Sequence, residues 1–195
     1  MSEIALSVNL NKIALIRNSR DTTIPDILKH ADICIAAGAA GITVHPRPDQ
    51  RHIRVDDVTD LSKHLANHPH IEFNIEGNPL AEPMPSDRQG VSDYPGFLPL
   101  VHQVKPHQCT LVPDNNSQLT SDHGFDLRKD GQSLEPIIAK LKADGIRVSL
   151  FMDPDLEQIS LANQKGEKMS CGFAPMALEH NEIDALLRRG QKHCR

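Results

Sequence analysis

Between residues 41 and 53 the chain reads GITVHPRPDQRHI, which sets two histidines and two arginines directly behind a short apolar run. His45 and Arg47 are two apart, so an extended backbone presents both on one face. A guanidinium beside an imidazole favours the neutral, base-competent ring. Pro46 and Pro48 stiffen the segment and would hold the Arg47 and Arg51 guanidiniums in place for bidentate recognition of phosphate or carboxylate. Glu76, in FNIEGNP, is either a surface charge at a strand end or a general base tuned by burial. Spacing alone leaves both readings open.

The elements that must position these groups are short. Apolar runs near 4–8, 41–45, 71–75, 108–112 and 146–151 recur every thirty-odd residues, with helical patterns between them at 25–37, 56–66, 96–104 and 133–143. Pro25 suits the first turn of its helix, and Gly38 and Gly145 suit positions just past helix ends. Strands alternating with helices predict a parallel sheet. The polar stretch 81–95, with three prolines, reads as a long loop. After the successive apolar runs come Asn9, then His45 and Arg47, then Glu76, Asp114 and Asp153. Polar chemistry spread over several strand ends favours an α/β barrel of the (β/α)8 type over a doubly wound sheet, which gathers its ligand at one switch point.

Composition narrows the classes. A chain of 195 residues, 38% hydrophobic, suits one domain, and its formal charge of −5 gives no footprint for nucleic acid. No stretch approaches the roughly 20 apolar residues of a membrane span, and a cytoplasmic protein is expected. Cys34, Cys109, Cys171 and Cys194 form no CxxC pair and read as ordinary thiols. There is no GxGxxG and no GxxxxGK[ST], and no cofactor is expected. His64, His68 and His70 have a spacing that could clasp a metal, but Asn67 and Pro69 place them at a helix end in a solvated turn with no nearby carboxylate completing a zinc set, and no metal is expected there.

The blocks SVNLNKIALIRNSR, GITVHPRPDQRHI, EFNIEGNP, TLVPD, LTSDHGFD and GIRVSLFMDPD, in this order and covering residues 3 to about 165, resemble the PdxJ family of pyridoxine 5′-phosphate synthases. The resemblance implies a cytoplasmic (β/α)8 barrel, commonly a homo-octamer, that condenses 1-deoxy-D-xylulose 5-phosphate with 3-amino-2-oxopropyl phosphate. Closing the pyridine ring calls for imine formation, dehydrations and proton shuttling on two phosphorylated substrates. By the resemblance, His45 is a general base and Glu76 a second catalytic base. Arg47, His52 and Thr120 contact the sugar phosphate, and Asn9 and Arg20 bind the amino-ketone phosphate. Many members carry Asp-His where this chain has Asn11-Lys12, and a branch reads Asn-Lys, so both are expected ligands.

After residue 165 the family pattern continues with further βα units bearing a catalytic His-Gly and a Gly-His phosphate site. This chain instead reads EKMSCGFAPMALEHNEIDALLRRGQKHCR, in which 178–189 has the pattern of an amphipathic helix. His180 and His193 match no family position. Residues 1–165 are therefore expected to form about five βα units of an incomplete barrel, followed by a divergent tail that suggests truncation or a shifted frame. An enzyme of vitamin B6 synthesis and a truncated, non-catalytic relative that binds ligand or self-associates both follow from this reading. A metal-dependent barrel lyase or hydrolase is a third, weaker one.

Overall fold

The computed structural model describes residues 5–20 and 22–164. Five strands, β1 (Ser7–Asn9), β2 (Gly41–Val44), β3 (Glu72–Gly77), β4 (Gln108–Leu111) and β5 (Arg147–Leu150), form one sheet in sequence order. Every pair is parallel. Between and after them lie α1 (Asn11–Asn18), α2 (Ile27–Ala36), α3 (Val55–Leu65), α4 (Phe97–Val104), α5 (Leu127–Ala143) and α6 (Leu156–Gln164). Five parallel strands joined by helices are a partial (β/α) barrel, as expected from the sequence. The helix expected at 178–189 lies outside the described residues.

Alternation along the strands divides the sheet into two faces. Ile42, Val44, Phe73, Ile75, Cys109, Leu111, Val148 and Leu150 are buried in one core with helix residues such as Ala31, Val58, Leu61, Leu100, Val101, Ile138 and Leu141. The other face is polar. Ser7 and Thr43 share a hydroxyl bond of 2.8 Å, Asn74 Nδ2 donates to Thr43 Oγ1 at 3.3 Å, and Thr110 Oγ1 donates to Asn74 Oδ1 at 3.0 Å. Thr43, Asn74, Thr110 and Ser149 are all buried, so this row needs its internal partners to offset lost hydration.

Helix ends deliver the chain to the strands. Asp26 caps α2 by accepting from Lys29 N at 3.0 Å. At the other end Gly38 adopts φ +97, while Gly38 N donates to Ile35 O and Ala39 N to Cys34 O. The α5 end repeats this device, with Gly145 at φ +80, Gly145 N on Lys142 O and Ile146 N on Leu141 O. Both are Schellman closures that turn the chain straight into the next strand, as the two glycines implied.

Two helices were not foreseen, and one is longer than foreseen. In α1, Leu15 and Ile16 are exposed whereas Ala14, Arg17 and Asn18 are buried, so the hydrophobic pattern points the wrong way. Helix α6 has no apolar stripe strong enough to read. Helix α5 begins at Leu127 rather than near 133, because Asp126 caps it by accepting from Arg128 N, and it runs on through Gly131. The 81–95 loop is irregular as expected, pinned by an antiparallel bridge between Met84 and Tyr94.

The buried polar face of α1 holds the segment after β2. Arg17 Nη2 donates to Asp57 Oδ2 at 2.8 Å and to His52 O at 3.2 Å, with Nη1 on Asp57 Oδ1. Asp57 also caps α3 by accepting from Arg54 N at 2.7 Å. Asn18 Nδ2 reaches the carbonyls of Gln50, Arg51 and His52. Arg17→Ala would strand a carboxylate only 11% exposed and release these carbonyls. The expected loss is about 3–5 kcal/mol of stability, as for other broken buried pairs. Urea unfolding measures it, and an unchanged midpoint would contradict this role.

Candidate active site

His45 and Arg47 follow β2, Glu76 is the penultimate residue of β3, and Asp114 follows β4, so the C-terminal ends of three neighbouring strands bring them together. A cavity of about 270 Å³ opens here, lined by His45, Arg47, Asn78, Tyr94, Asp114 and Asn115 among others. Tyr94 comes from the long 81–95 loop, which thereby supplies one wall.

Asp114 is the hub. Its Oδ2 accepts from Arg47 Nη2 at 2.6 Å and from Ser121 Oγ at 3.1 Å, and His45 Nε2 lies 3.3 Å away. Arg47 Nη1 donates to the carbonyls of Asn115 and Gln118, both at 3.1 Å. Arg51 extends the stitching: Nε donates to Asp49 Oδ2 at 2.7 Å, Nη1 to Gln118 O at 2.9 Å and Nη2 to Asn116 O at 2.7 Å. Two guanidiniums thus join the 45–54 segment to the 114–121 loop. Asn78 Nδ2 donates to Asp114 O at 2.6 Å and ties that loop to β3. Gln50, between the arginines, takes φ +48 while fully buried, and is held there by Gln50 Nε2 on Ser92 O and Val55 N on Gln50 Oε1.

Burial and charge set the protonation states. The His45 pKa is lowered from 6.5 to about 3, first by burial and then by Arg47 and Arg51. His52, whose ring centroid lies 6.1 Å from that of His45, is lowered to about 3 by burial, then by His45 and Arg47. Ile53 N donates to His52 Nδ1, which places that ring's proton on Nε2. Glu76 moves the other way, raised from 4.5 to about 7 by burial and by the Asp114 charge. Burial also raises the Asp114 pKa, while Arg47 and Ser121 oppose it.

The remaining expected ligands are distributed around this core. Asn9 Nδ2 donates to Glu76 Oε2 at 3.3 Å, and Asn9 Oδ1 accepts from Asn11 N at 2.8 Å. Asn11 Oδ1 accepts from His45 N at 2.9 Å, so Asn9 and Asn11 link β1 to both expected bases. Lys12 and Arg20 are exposed on and just after α1, and Thr120 is exposed on the 114–121 loop. The neighbouring Ser121 supplies the hydroxyl that reaches Asp114. Arg47 is only 3% exposed and its guanidinium is engaged by protein acceptors, so a ligand would reach it by competing with the Asn115 and Gln118 carbonyls. Asp153 accepts from Gly124 N at 3.0 Å and fixes the start of the α5 approach.

Sequence reading gave Asp114 a place at a strand end but no role, and it gave none to Asn18, Asn78, Tyr94 or Ser121. Their roles arise from contacts across distant segments that no local spacing reveals. One expectation is corrected. The histidine trio at 64–70 does have a carboxylate beside it, because Asp32 of α2 packs against the end of α3.

The sequence model of a family described as Pyridoxal phosphate biosynthesis protein PdxJ matches residues 6–170. The pyridoxine 5′-phosphate synthase of Xanthomonas oryzae pv. oryzae (strain MAFF 311018) is 58% identical over 178 residues, 91% of this chain and 67% of that relative. That of Xanthomonas campestris pv. campestris (strain B100) is 52% identical over 177 residues, 90% of this chain and 66% of the relative. That of Xylella fastidiosa (strain 9a5c) is 50% identical over 186 residues, 94% of this chain and 68% of the relative. The chain spans about two thirds of the length of these curated relatives.

The low histidine pKa values carry a stability consequence. A base whose folded pKa is depressed from 6.5 to about 3 stabilises the fold fully above pH 6.5 and loses that contribution as pH falls toward 3. His45→Gln is expected to flatten the acid limb of the stability profile below pH 6.5. Urea midpoints across acidic pH check it, and parallel limbs for the two proteins would contradict the assignment.

Proposed function

Because the chain belongs to the PdxJ family, we propose that its strand-end cluster forms pyridoxine 5′-phosphate from 1-deoxy-D-xylulose 5-phosphate and 3-amino-2-oxopropyl phosphate. The observation that carries this reading is the pairing of a neutral buried His45, 3.3 Å from Asp114, with a Glu76 raised to about 7 by burial and by the Asp114 charge. Condensing an amine with a ketone and then expelling water needs one group that gives and takes protons near neutral pH. Glu76 is poised for that work, since a catalytic pKa close to the operating pH balances proton donation against acceptance.

His45 is held neutral and so keeps a nitrogen able to accept a proton. A phosphate dianion entering the cavity brings negative charge that raises the His45 pKa and makes it a stronger base when substrate is present. Arg47 and Arg51 place positive charge at the same strand end, where it favours phosphate oxygens. Asn9 and Asn11 fix both bases from β1. In line with the family resemblance, Arg20 offers an exposed cation for the amino-ketone phosphate and Thr120 a hydroxyl for the sugar phosphate, while Lys12 adds a second exposed cation.

The same reading makes the protein a transferase of vitamin B6 biosynthesis acting in the cytoplasm as a homo-oligomer. Among the described residues no helix is long and apolar enough to cross a membrane, which fits that setting. The proposal is tested by supplying both phosphorylated substrates and following product by mass. The assay uses this protein and a full-length relative, each carrying His45→Ala or Glu76→Gln at the matching motif position. Each substitution is expected to slow turnover by about 10²–10⁴-fold. Unchanged rates for both would overturn the assignment.

A further inference from the structure

We propose that Asp32, His64 and His68 form a site for a first-row transition-metal dication, of which Zn²⁺ is the representative. The three side chains present ligand atoms that all lie within 4.8 Å of one another. His64 Nε2 stands 2.6 Å from Asp32 Oδ1, and His68 Nε2 stands 4.0 Å from the same oxygen. Bonds of about 2.0–2.2 Å to a tetrahedral ion place neighbouring ligand atoms about 3.3–3.5 Å apart, between these two separations. A small rotamer adjustment converts the present hydrogen-bonded cluster into a coordination shell.

The backbone holds the ligands in place. His64 is in the last turn of α3, and past it the chain tightens into i→i−3 turns: Ala66 is in the αR region, Asn67 N donates to His64 O and His68 N to Leu65 O. This tightened helix end sets the His68 ring beside that of His64. Their rings lie 5.5 Å apart. Asp32 comes from α2, which is pinned beside α3 by its neighbour Ala31 in the core. Side-chain exposures of 50% for Asp32, 25% for His64 and 30% for His68 leave an entry path and room for a water ligand.

Two imidazoles and one carboxylate select zinc, cobalt, nickel or copper over magnesium or calcium. The site precedes β3, whereas His45 and Glu76 sit at or beyond the C-terminal strand ends, so it lies at the opposite end of the sheet from the proposed chemistry. Bound metal would join α2 to α3 and act on stability rather than on turnover.

The test titrates chelator-stripped protein with Zn²⁺, and in parallel with Co²⁺ for its ligand-field spectrum. One saturable equivalent is expected, with nitrogen-ligated cobalt bands and a higher thermal midpoint under Zn²⁺. His64→Gln, His68→Gln and Asp32→Asn should each weaken binding at least about 10-fold and abolish the thermal shift. All three side chains are partly exposed, and matching far-UV circular dichroism of the stripped proteins establishes that the variants are folded. Asp32→Glu, which keeps the carboxylate, should retain binding. Absence of saturable uptake by the unsubstituted protein, or uptake unchanged in the His64→Gln/His68→Gln double variant, would overturn the proposal.

Discussion

A guanidinium with almost no contact to water has to find its partners inside the protein, and the burial of Arg47 is the constraint around which the strand-end site is arranged. Asp114 accepts from it at 2.6 Å, and the carbonyls of Asn115 and Gln118 take its other nitrogen. Meeting that requirement draws the loop after β4 against the segment after β2. The same pair then sets the electrostatics of its neighbours. Arg47 helps burial to keep His45 neutral, and the Asp114 charge helps burial to raise Glu76. One buried ion pair therefore shapes the loop path, the cavity wall and both expected bases.

The scaffold beneath is built for this load. The polar row Thr43, Asn74 and Thr110 knits one face of the sheet with hydroxyl and amide bonds, while the opposite face packs against the helices. From the side, Arg17 and Asn18 of α1 seize the carbonyls of residues 50–52 and the Asp57 cap of α3. A rigid second layer of this kind is what keeps acid/base groups within the tolerance that catalysis demands.

Strand positions, the parallel sheet and the gathering of polar residues at strand ends were legible in the sequence because each depends on local pattern. Gly38 and Gly145 marked helix ends correctly because the left-handed closure that follows a helix is a local need. Helix α1 was illegible because its buried face includes Arg17 and Asn18, which look like surface residues until their partners on α3 and in the segment after β2 are in view. His45, Arg47 and Glu76 were singled out from type, spacing and resemblance, while Asp114 emerged as the hub only when the sheet set β4 beside β3. The carboxylate beside His64 escaped for the same reason, being carried by a different helix.

The proposed strand-end chemistry depends most directly on Glu76 being a carboxyl that titrates near neutrality rather than an ordinary surface acid. Carbon-13 NMR of protein labelled at glutamate side-chain carboxyls, with the Glu76 resonance assigned by its loss in Glu76→Gln, reads this without any assay of turnover. A midpoint of about 7 is expected. A midpoint at the ordinary value of 4.5 would contradict it.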